Sequence, residues 1–259
     1  MTKDQFHIQR FDPSKSKEHC LWLLVGPRNT GKSVLLMDLL YHTHRRYDMG
    51  VAMTATESTV DSFKNILPHR LIFTQGYDFA FGEMFLTTCR ANTEKKKVRA
   101  NLCILDDCMY DPKVMKSATQ KCVAMNGRHN LITQFNTAQY CMSIPSDIRA
   151  NTDYVLCLRE STMANKRRLY EYFFGMFDTF KEFNNVFTQA TRDFGALVLD
   201  KTSSSTSVSE CVKWYVTTPD PPVFKIGRPV YFHMSSLVEE ANKVSQKKKV
   251  IVDMDLKII

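Results

Sequence analysis

The apolar positions of this chain fall into short unbroken runs separated by stretches of helical period. Residues 20–25 (Cys-Leu-Trp-Leu-Leu-Val) are apolar without alternation, the pattern of a strand buried on both faces of a parallel sheet. Residues 34–46 then place apolar side chains at helical spacing, so a helix follows. The unit recurs. A β-rich run at 50–56 predicts a second parallel strand, and residues 57–98 carry two weaker helical patterns with a short strand at 71–74. A strand at 101–108 precedes a helix at 112–125 that has Pro112 in its first turn. Strands at 131–138 and 153–158, a short helical connection at 144–151 and helices near 165–177 and 179–192 continue the series. Closing strands at 194–200 and 212–217 flank a serine-rich loop at 203–207. Strands alternating with helices predict an α/β domain, a mainly parallel, doubly wound sheet with helices on both faces, over residues 1–218. Residues 219–259 change in composition, with Pro219, Pro221 and Pro222 at the exit, and are expected to form a docked appendage with an edge strand at 229–233 and a mobile terminus.

The junction between the first strand and its helix carries the strongest chemical signal. Gly26, Gly31, Lys32 and Ser33 fit G-x-x-x-x-G-K-[ST], and the strand before and helix after are the context that motif requires. Glycines let the backbone turn and aim successive N–H groups at a polyphosphate, beside the positive end of a helix dipole. The candidate nucleotide-binding set is therefore Gly26, Pro27, Arg28, Asn29, Thr30, Gly31, Lys32, Ser33 and Val34. Within it, Lys32 is placed to reach the β- and γ-phosphates and Ser33 to bind Mg²⁺.

Residues 101–108 (Asn-Leu-Cys-Ile-Leu-Asp-Asp-Cys) end a buried strand in two adjacent carboxylates, the form of a Walker B strand. In parallel sheets ligands gather beyond the carboxyl ends of strands, so acids at this tip face a nucleotide held by the loop at 26–33. Asp106 is the candidate for the Mg²⁺ hydration shell and Asp107, pointing the other way, for polarising the attacking water. The strand at 131–138 is less apolar than the others and delivers Gln139 to the same edge, where a side-chain amide can bond the γ-phosphate or the lytic water.

Composition narrows the class. Apolar content of 44% and charged content of 24% are globular values. Thirty-five Lys plus Arg against 27 Asp plus Glu give a formal charge of +8, which favours a polyanionic partner. Eight cysteines with no C-x-x-C pair, most among apolar neighbours, read as reduced core residues of a cytosolic protein. The start of the chain has no apolar signal region and no window of about 18 apolar residues occurs, so a soluble, unsecreted protein without a transmembrane segment is expected. The basic run 95–97, expected to end a helix that starts at Phe79, reads as a solvated face, the run 166–168 is carried by the helix near 165–177, and His42 and His44, two apart on a helix, diverge too far to share a metal.

Taken together, Gly-Pro-Arg-Asn-Thr-Gly-Lys-Ser at 26–33, Leu-Asp-Asp at 105–107, Gly-Arg-His at 127–129, Gln139, Pro145 and Arg-Ala-Asn at 149–151 resemble the virion DNA-packaging ATPases of nucleocytoplasmic large DNA viruses, poxvirus and iridovirus type, in the FtsK/HerA superfamily. The resemblance covers residues 19–217. It implies a RecA-like P-loop NTPase fold, ATP and Mg²⁺ as ligands, and a homo-oligomeric ring. It also implies translocation of double-stranded DNA without sequence preference into a capsid, with capsid or portal partners, at viral assembly sites in the host cytoplasm or in the virion. It carries over Lys32 and Ser33 as phosphate and Mg²⁺ ligands, Asp106 and Asp107 as the Walker B pair and Gln139 as the sensor. Superfamily rings need an arginine from the adjacent subunit, for which Arg149, Arg128 and Arg159 are candidates, while Arg28 resembles the cis-acting arginine of phage terminase motors. Asp107 departs from the glutamate of cellular relatives by one methylene.

Competing readings are a P-loop nucleoside or polynucleotide kinase with a lid at 166–168, a nucleotide-binding switch without motor activity, and a terminase carrying its own nuclease. Kinases do not generally need Asp107 or Gln139; a guanine switch would carry Asn-Lys-x-Asp, which the Asn-Lys-Arg-Arg at 165–168 lacks. Too little chain follows residue 218 for a nuclease domain.

Overall fold

The computed structural model describes residues 8–96 and 98–255. In order these form β1 (Gln9–Arg10), β2 (Leu21–Val25), α1 (Lys32–Thr43), β3 (Met49–Thr54), α2 (Glu57–Ile66), β4 (Ile72–Phe73), α3 (Phe79–Glu94), β5 (Asn101–Asp106), α4 (Pro112–Lys116), α5 (Ala118–Asn126), β6 (Ile132–Ala138), α6 (Ser146–Asn151), β7 (Tyr154–Cys157), α7 (Met163–Phe173), α8 (Phe180–Ala190), β8 (Gly195–Asp200), α9 (Val208–Cys211), β9 (Val212–Val216) and α10 (Pro229–Asp255). The strands make one sheet in the order β1-β9-β8-β7-β2-β6-β5-β3-β4. All neighbouring pairs are parallel except β7 with β8 and β8 with β9. β6 therefore lies between the strand that feeds the glycine loop and the strand that ends in the two acids.

The unbroken apolar runs are explained by burial on both faces. On one face Trp22, Leu24, Leu102, Ile104, Leu156 and Val198 pack under α1 and α2; on the other, the alternate residues of the same strands pack under α3 to α8. Register is pinned by an aromatic row. Trp22 lies opposite Phe135 on one neighbouring strand and Tyr154 on the other, with ring centroids 5.0 and 4.3 Å away and nearly parallel planes. A one-residue slip would send Trp22 to the other face and break both stacks.

Residues 219–228 run across the α1–α2 face. Phe224 and Ile226 are buried in its core, and the Ile226 N–H donates to the Ile66 carbonyl at 2.8 Å. A Cβ on Gly50 would come within 2.7 Å of Leu67 Cδ2 and 2.9 Å of Ile226 Cγ2, so both side chains pack directly on the β3 backbone where this segment crosses it and would have to shift for a larger residue. The segment ends on Asp48, which accepts from the Arg99 N–H at 2.7 Å and from Arg228 Nη2 at 3.1 Å.

Three expectations change. The helix at 112–125 is two helices, because Ser117 is extended (φ −63°, ψ 148°) and its hydroxyl caps α5 by accepting from the Gln120 N–H. The stretch 229–233 is the first turn of α10, not an edge strand; its aromatic and β-branched residues imitate a strand, but the Arg70 N–H donates to Ser235 Oγ and His69 pairs with Glu239 four residues further on. α3 ends at Glu94, before the basic run at 95–97, of which Lys97 lies outside the described residues. The side chains of the basic triplet at 247–249 and the terminus at 256–259 also lie outside them.

All eight cysteines are unpaired, seven of them buried. Burial pushes the thiols of Cys20, Cys89 and Cys108 up to about 12, which leaves them without nucleophilic character near neutral pH.

Candidate nucleotide-binding site

Because β2, β3, β5, β6 and β7 are parallel, their carboxyl ends share one edge, and that edge gathers the predicted chemistry. The loop after β2 turns through Gly26, where a Cβ would meet Thr30 Oγ1 at 2.8 Å and Leu158 Cβ at 2.9 Å, and through Gly31 at φ +91°. A side chain has no room at Gly26, and at Gly31, where the space is open, the left-handed backbone disfavours one. α1 begins with no side-chain cap, so the N–H groups of its first turn, beside Ser33 and Val34, are left for an anion. Thr30 Oγ1 donates to the Pro27 carbonyl at 2.8 Å and holds the loop closed. Arg28 and Asn29 are exposed at its tip, Asn29 with φ +59°. The Lys32 ammonium donates to the carbonyls of Gly26 (2.7 Å) and Pro27 (2.8 Å). Burial lowers its proton affinity while Asp107 and Asp106 raise it, with a net lowering from the ordinary lysine value.

Asp106 is 3% exposed and is bound by three hydroxyls. Thr54 (3.2 Å) and Thr59 (2.9 Å) donate to Oδ2, and Thr137 (2.8 Å) donates to Oδ1. A carboxylate offers about four lone-pair positions, so three donors fix its orientation and leave one for a metal-bound water. With the Ser33 hydroxyl, this gives the hard-oxygen donor set that suits Mg²⁺ when phosphates supply the remainder. Among the described residues no group of three or more His, Cys, Asp and Glu could hold a metal by itself.

Asp107 adopts a left-handed backbone (φ +53°, ψ +27°), and its N–H donates to Thr137 Oγ1 at 2.8 Å. Gln139 Nε2 lies 3.1 and 2.9 Å from the two carboxylate oxygens of Asp107. The Gln139 amide and the Asp107 carboxylate are therefore in direct contact. Sequence reasoning missed Thr54, Thr59 and Thr137, although a threonine at the tip of each strand flanking β5 was a readable signal. It also missed Glu160, a buried carboxylate at the end of β7 that accepts from Thr162 N–H and Asn165 Nδ2 and lines a crevice with Pro27, Gln139 and Arg168.

The arginines are dispersed. Arg149 lies just past the sensor strand; its guanidinium donates to the Ile144 carbonyl and sits 4.2 Å from the Tyr172 ring centroid. Arg128 pairs with Asp153 at 3.6 Å, and Asp153 accepts from the Leu21 N–H, which places Arg128 beyond the amino ends of the strands. It is a full strand length from the loop at 26–33. Arg159 is exposed and lines, with Arg28 and Asn29, a cleft of about 540 Å³ on the β7 side of that loop.

A glycine loop between a buried strand and an uncapped helix, two acids two strands away, and a polar strand between them make up the fold of a RecA-like P-loop NTPase. No protein-family model matches the chain. Protein 088R of Invertebrate iridescent virus 3, itself uncharacterized, is 30% identical over 195 residues, covering 74% of this chain and 73% of that protein. The genome packaging NTPase B204 of Sulfolobus turreted icosahedral virus 2, solved in complex with ATP-γS, superposes with a TM-score of 0.53 at 16% identity, over 81% of this chain and 99% of B204. ATPases 2 and 3 of EssC from Geobacillus thermodenitrificans superpose with a TM-score of 0.55 at 14% identity, over 89% of this chain and 45% of theirs. The chain belongs to the same family as protein 088R, and it shares the fold of the B204 and EssC ATPases.

Proposed function

We propose that this protein hydrolyses ATP in the presence of Mg²⁺, as a homo-oligomeric ring, and uses turnover to drive double-stranded DNA into a capsid at viral assembly sites in the host cytoplasm. The observation that carries the reading is the contact of Gln139 with Asp107 beside the loop of Lys32, which couples a γ-phosphate sensor to the acid that acts on water. Lys32 neutralises phosphate charge, Ser33 and Asp106 hold Mg²⁺, and Asp107 orients and polarises the attacking water. An arginine from the adjacent subunit, Arg149 before Arg128, meets the charge developing on the γ-phosphoryl group; Arg28 is the cis alternative. B204 is a genome packaging NTPase solved with an ATP analogue, which supports the same ligand here. The charge of +8 suits a partner read through its phosphates whatever its sequence. Among the described residues no helix is long and apolar enough to cross a membrane.

The test is phosphate release with duplex DNA and no other acceptor. Lys32→Ala should lose nucleotide affinity and turnover together, whereas Asp107→Asn should bind ATP·Mg²⁺ and hydrolyse it at least about a hundredfold more slowly. Turnover of Asp107→Asn at the wild-type rate removes the assignment, and phosphate transfer to a nucleoside or DNA end in place of release moves the protein to the kinases.

A further inference from the structure

We propose that the cleft on the β7–β8 side of the loop at 26–33 seats a purine base, with Phe194 as its stacking face and Asp193 as its hydrogen-bond acceptor. This rests on the reading above that the chain binds a nucleoside triphosphate. The γ-phosphate end is fixed by Asp107 and Gln139, which lie on the β6–β5 side of β2. A triphosphate laid along the loop from that end delivers its nucleoside away from the acids, towards β7 and the start of β8. β8 is antiparallel to β7, so its first residues stand at the same edge as the loop. There the cleft of about 540 Å³ opens between Arg28 and Asn29 on one wall and Arg159, Thr191, Asp193 and Phe194 on the other. That volume is in the range of small-molecule sites.

The turn that enters β8 is built at a cost to present these groups. Asp193 (φ +45°) and Phe194 (φ +62°) are consecutive left-handed residues, neither of them glycine. Gly195, which follows, has no room for a Cβ: it would meet the Ala190 and Arg192 carbonyl oxygens at 2.1 and 2.7 Å. Backbone held in such conformations concentrates at ligand sites. The Phe194 ring takes no part in the core and is 73% exposed, the orientation of a platform rather than of packing. Asp193 has no side-chain hydrogen bond or ion pair among the described residues, and the buried Thr191 hydroxyl spends its proton on the Phe187 carbonyl at 2.8 Å. Both therefore offer lone pairs to the cleft and suit N–H groups on a base edge. Arg159 and Ser161 at the rim supply donors for ribose oxygens. A second cleft of about 710 Å³ borders Ser33, between α1, α2 and residues 220–225, but its one aromatic ring, Phe224, is buried.

The experiment is calorimetric titration of the full chain, with Mg²⁺, by ATP, CTP and inorganic tripolyphosphate. Wild type should bind ATP about tenfold or more tighter than tripolyphosphate, and tighter than CTP. Phe194→Asn tolerates the left-handed backbone and should lose about tenfold for ATP while tripolyphosphate binding is unchanged; Phe194→Tyr should restore the wild-type value. Asp193→Asn should weaken ATP and CTP alike, since adenine and cytosine each donate from an exocyclic amino group, and leave tripolyphosphate binding unchanged. Wild-type ATP affinity in Phe194→Asn overturns the proposal, and loss of ATP affinity in Met37→Lys with Phe194→Asn silent moves the base to the cleft beside Ser33. If wild type binds tripolyphosphate and ATP equally, no base seat exists; if it binds neither, the nucleotide reading itself fails.

Discussion

Thr137→Val replaces a fully buried hydroxyl by a methyl of the same size, and the consequence is calculable from two contacts. Thr137 Oγ1 donates to Asp106 Oδ1 and accepts the Asp107 N–H, each at 2.8 Å, and is 0% exposed. The first bond is to a carboxylate, a class worth about 1.5–3 kcal/mol; losing the second leaves a backbone donor without its partner at about 1 kcal/mol. Asp106 keeps Thr54 and Thr59, so its charge is not abandoned. The sum is about 2–4 kcal/mol, or about 5–10 °C in Tm for a chain of this size. Urea denaturation at constant m-value reads the difference, and Thr137→Ser, which keeps the hydroxyl, should recover most of it. ATP turnover should fall in parallel in Thr137→Val, because the tether that sets the Asp107 backbone is gone. A Val variant within about 0.5 kcal/mol of wild type, or a Ser variant as destabilised as Val, would refute the claim that this hydroxyl organises both acids.

Burial raises Asp48, but the Arg99 N–H and the Arg228 guanidinium outweigh it and set the carboxyl below its usual value of 3.8. A depressed carboxyl contributes stability above its unfolded value and loses it as pH falls through the folded one. Asp48→Asn should therefore cost about 1–2 kcal/mol at pH 7, and its deficit in urea midpoint should shrink below pH 4; a constant deficit from pH 7 to 3 counts against the ion cluster. Subunit mixing tests Arg149: Lys32→Ala and Arg149→Ala, each inactive alone, should regain turnover in mixed rings. No recovery in rings shown by mass to be mixed turns the assignment to Arg28 acting in cis.

Much of the sheet was legible because parallel strands covered on both faces cannot alternate. The runs at 20–25, 102–105 and 154–158 are apolar throughout and could belong to little else. The tips of the same strands were legible for a related reason: a loop of glycines or a pair of acids after such a run has only the ligand edge to occupy. What stayed hidden depended on partners distant in sequence. β1 is two residues long and exists through its pairing with β9, which no local pattern encodes. Ser117 is an ordinary helix residue by propensity, and only its hydroxyl on Gln120 N–H shows that a helix restarts there. The buried amides of Gln134 and Asn136 made β6 look less like a core strand than its neighbours. In the structure Gln134 Nε2 donates to Gln120 Oε1 and Asn136 Oδ1, so the amide N–H groups that argued against burial find acceptors inside the fold. Arg128 lies by the amino end of β6, away from its own chain's glycine loop, a placement that its nearness in sequence to the strand does not disclose.

The segment at 219–228 has a consequence for the order in which the protein can be made. The face of the sheet under α1 and α2, which backs the phosphate loop near the chain's beginning, is closed by Phe224 and Ile226 from near its end. At the other edge Gln9 pairs with Lys213, and Phe11 packs on Tyr215. Both halves of the first-synthesised unit thus wait on residues that leave the ribosome late. Contacts of such long sequence separation close slowly, so a nascent chain stalled near residue 200 would carry its glycine loop on a sheet with an open face and an unpaired edge. Timely completion, or shelter until completion, is built into how this protein becomes able to hold a nucleotide.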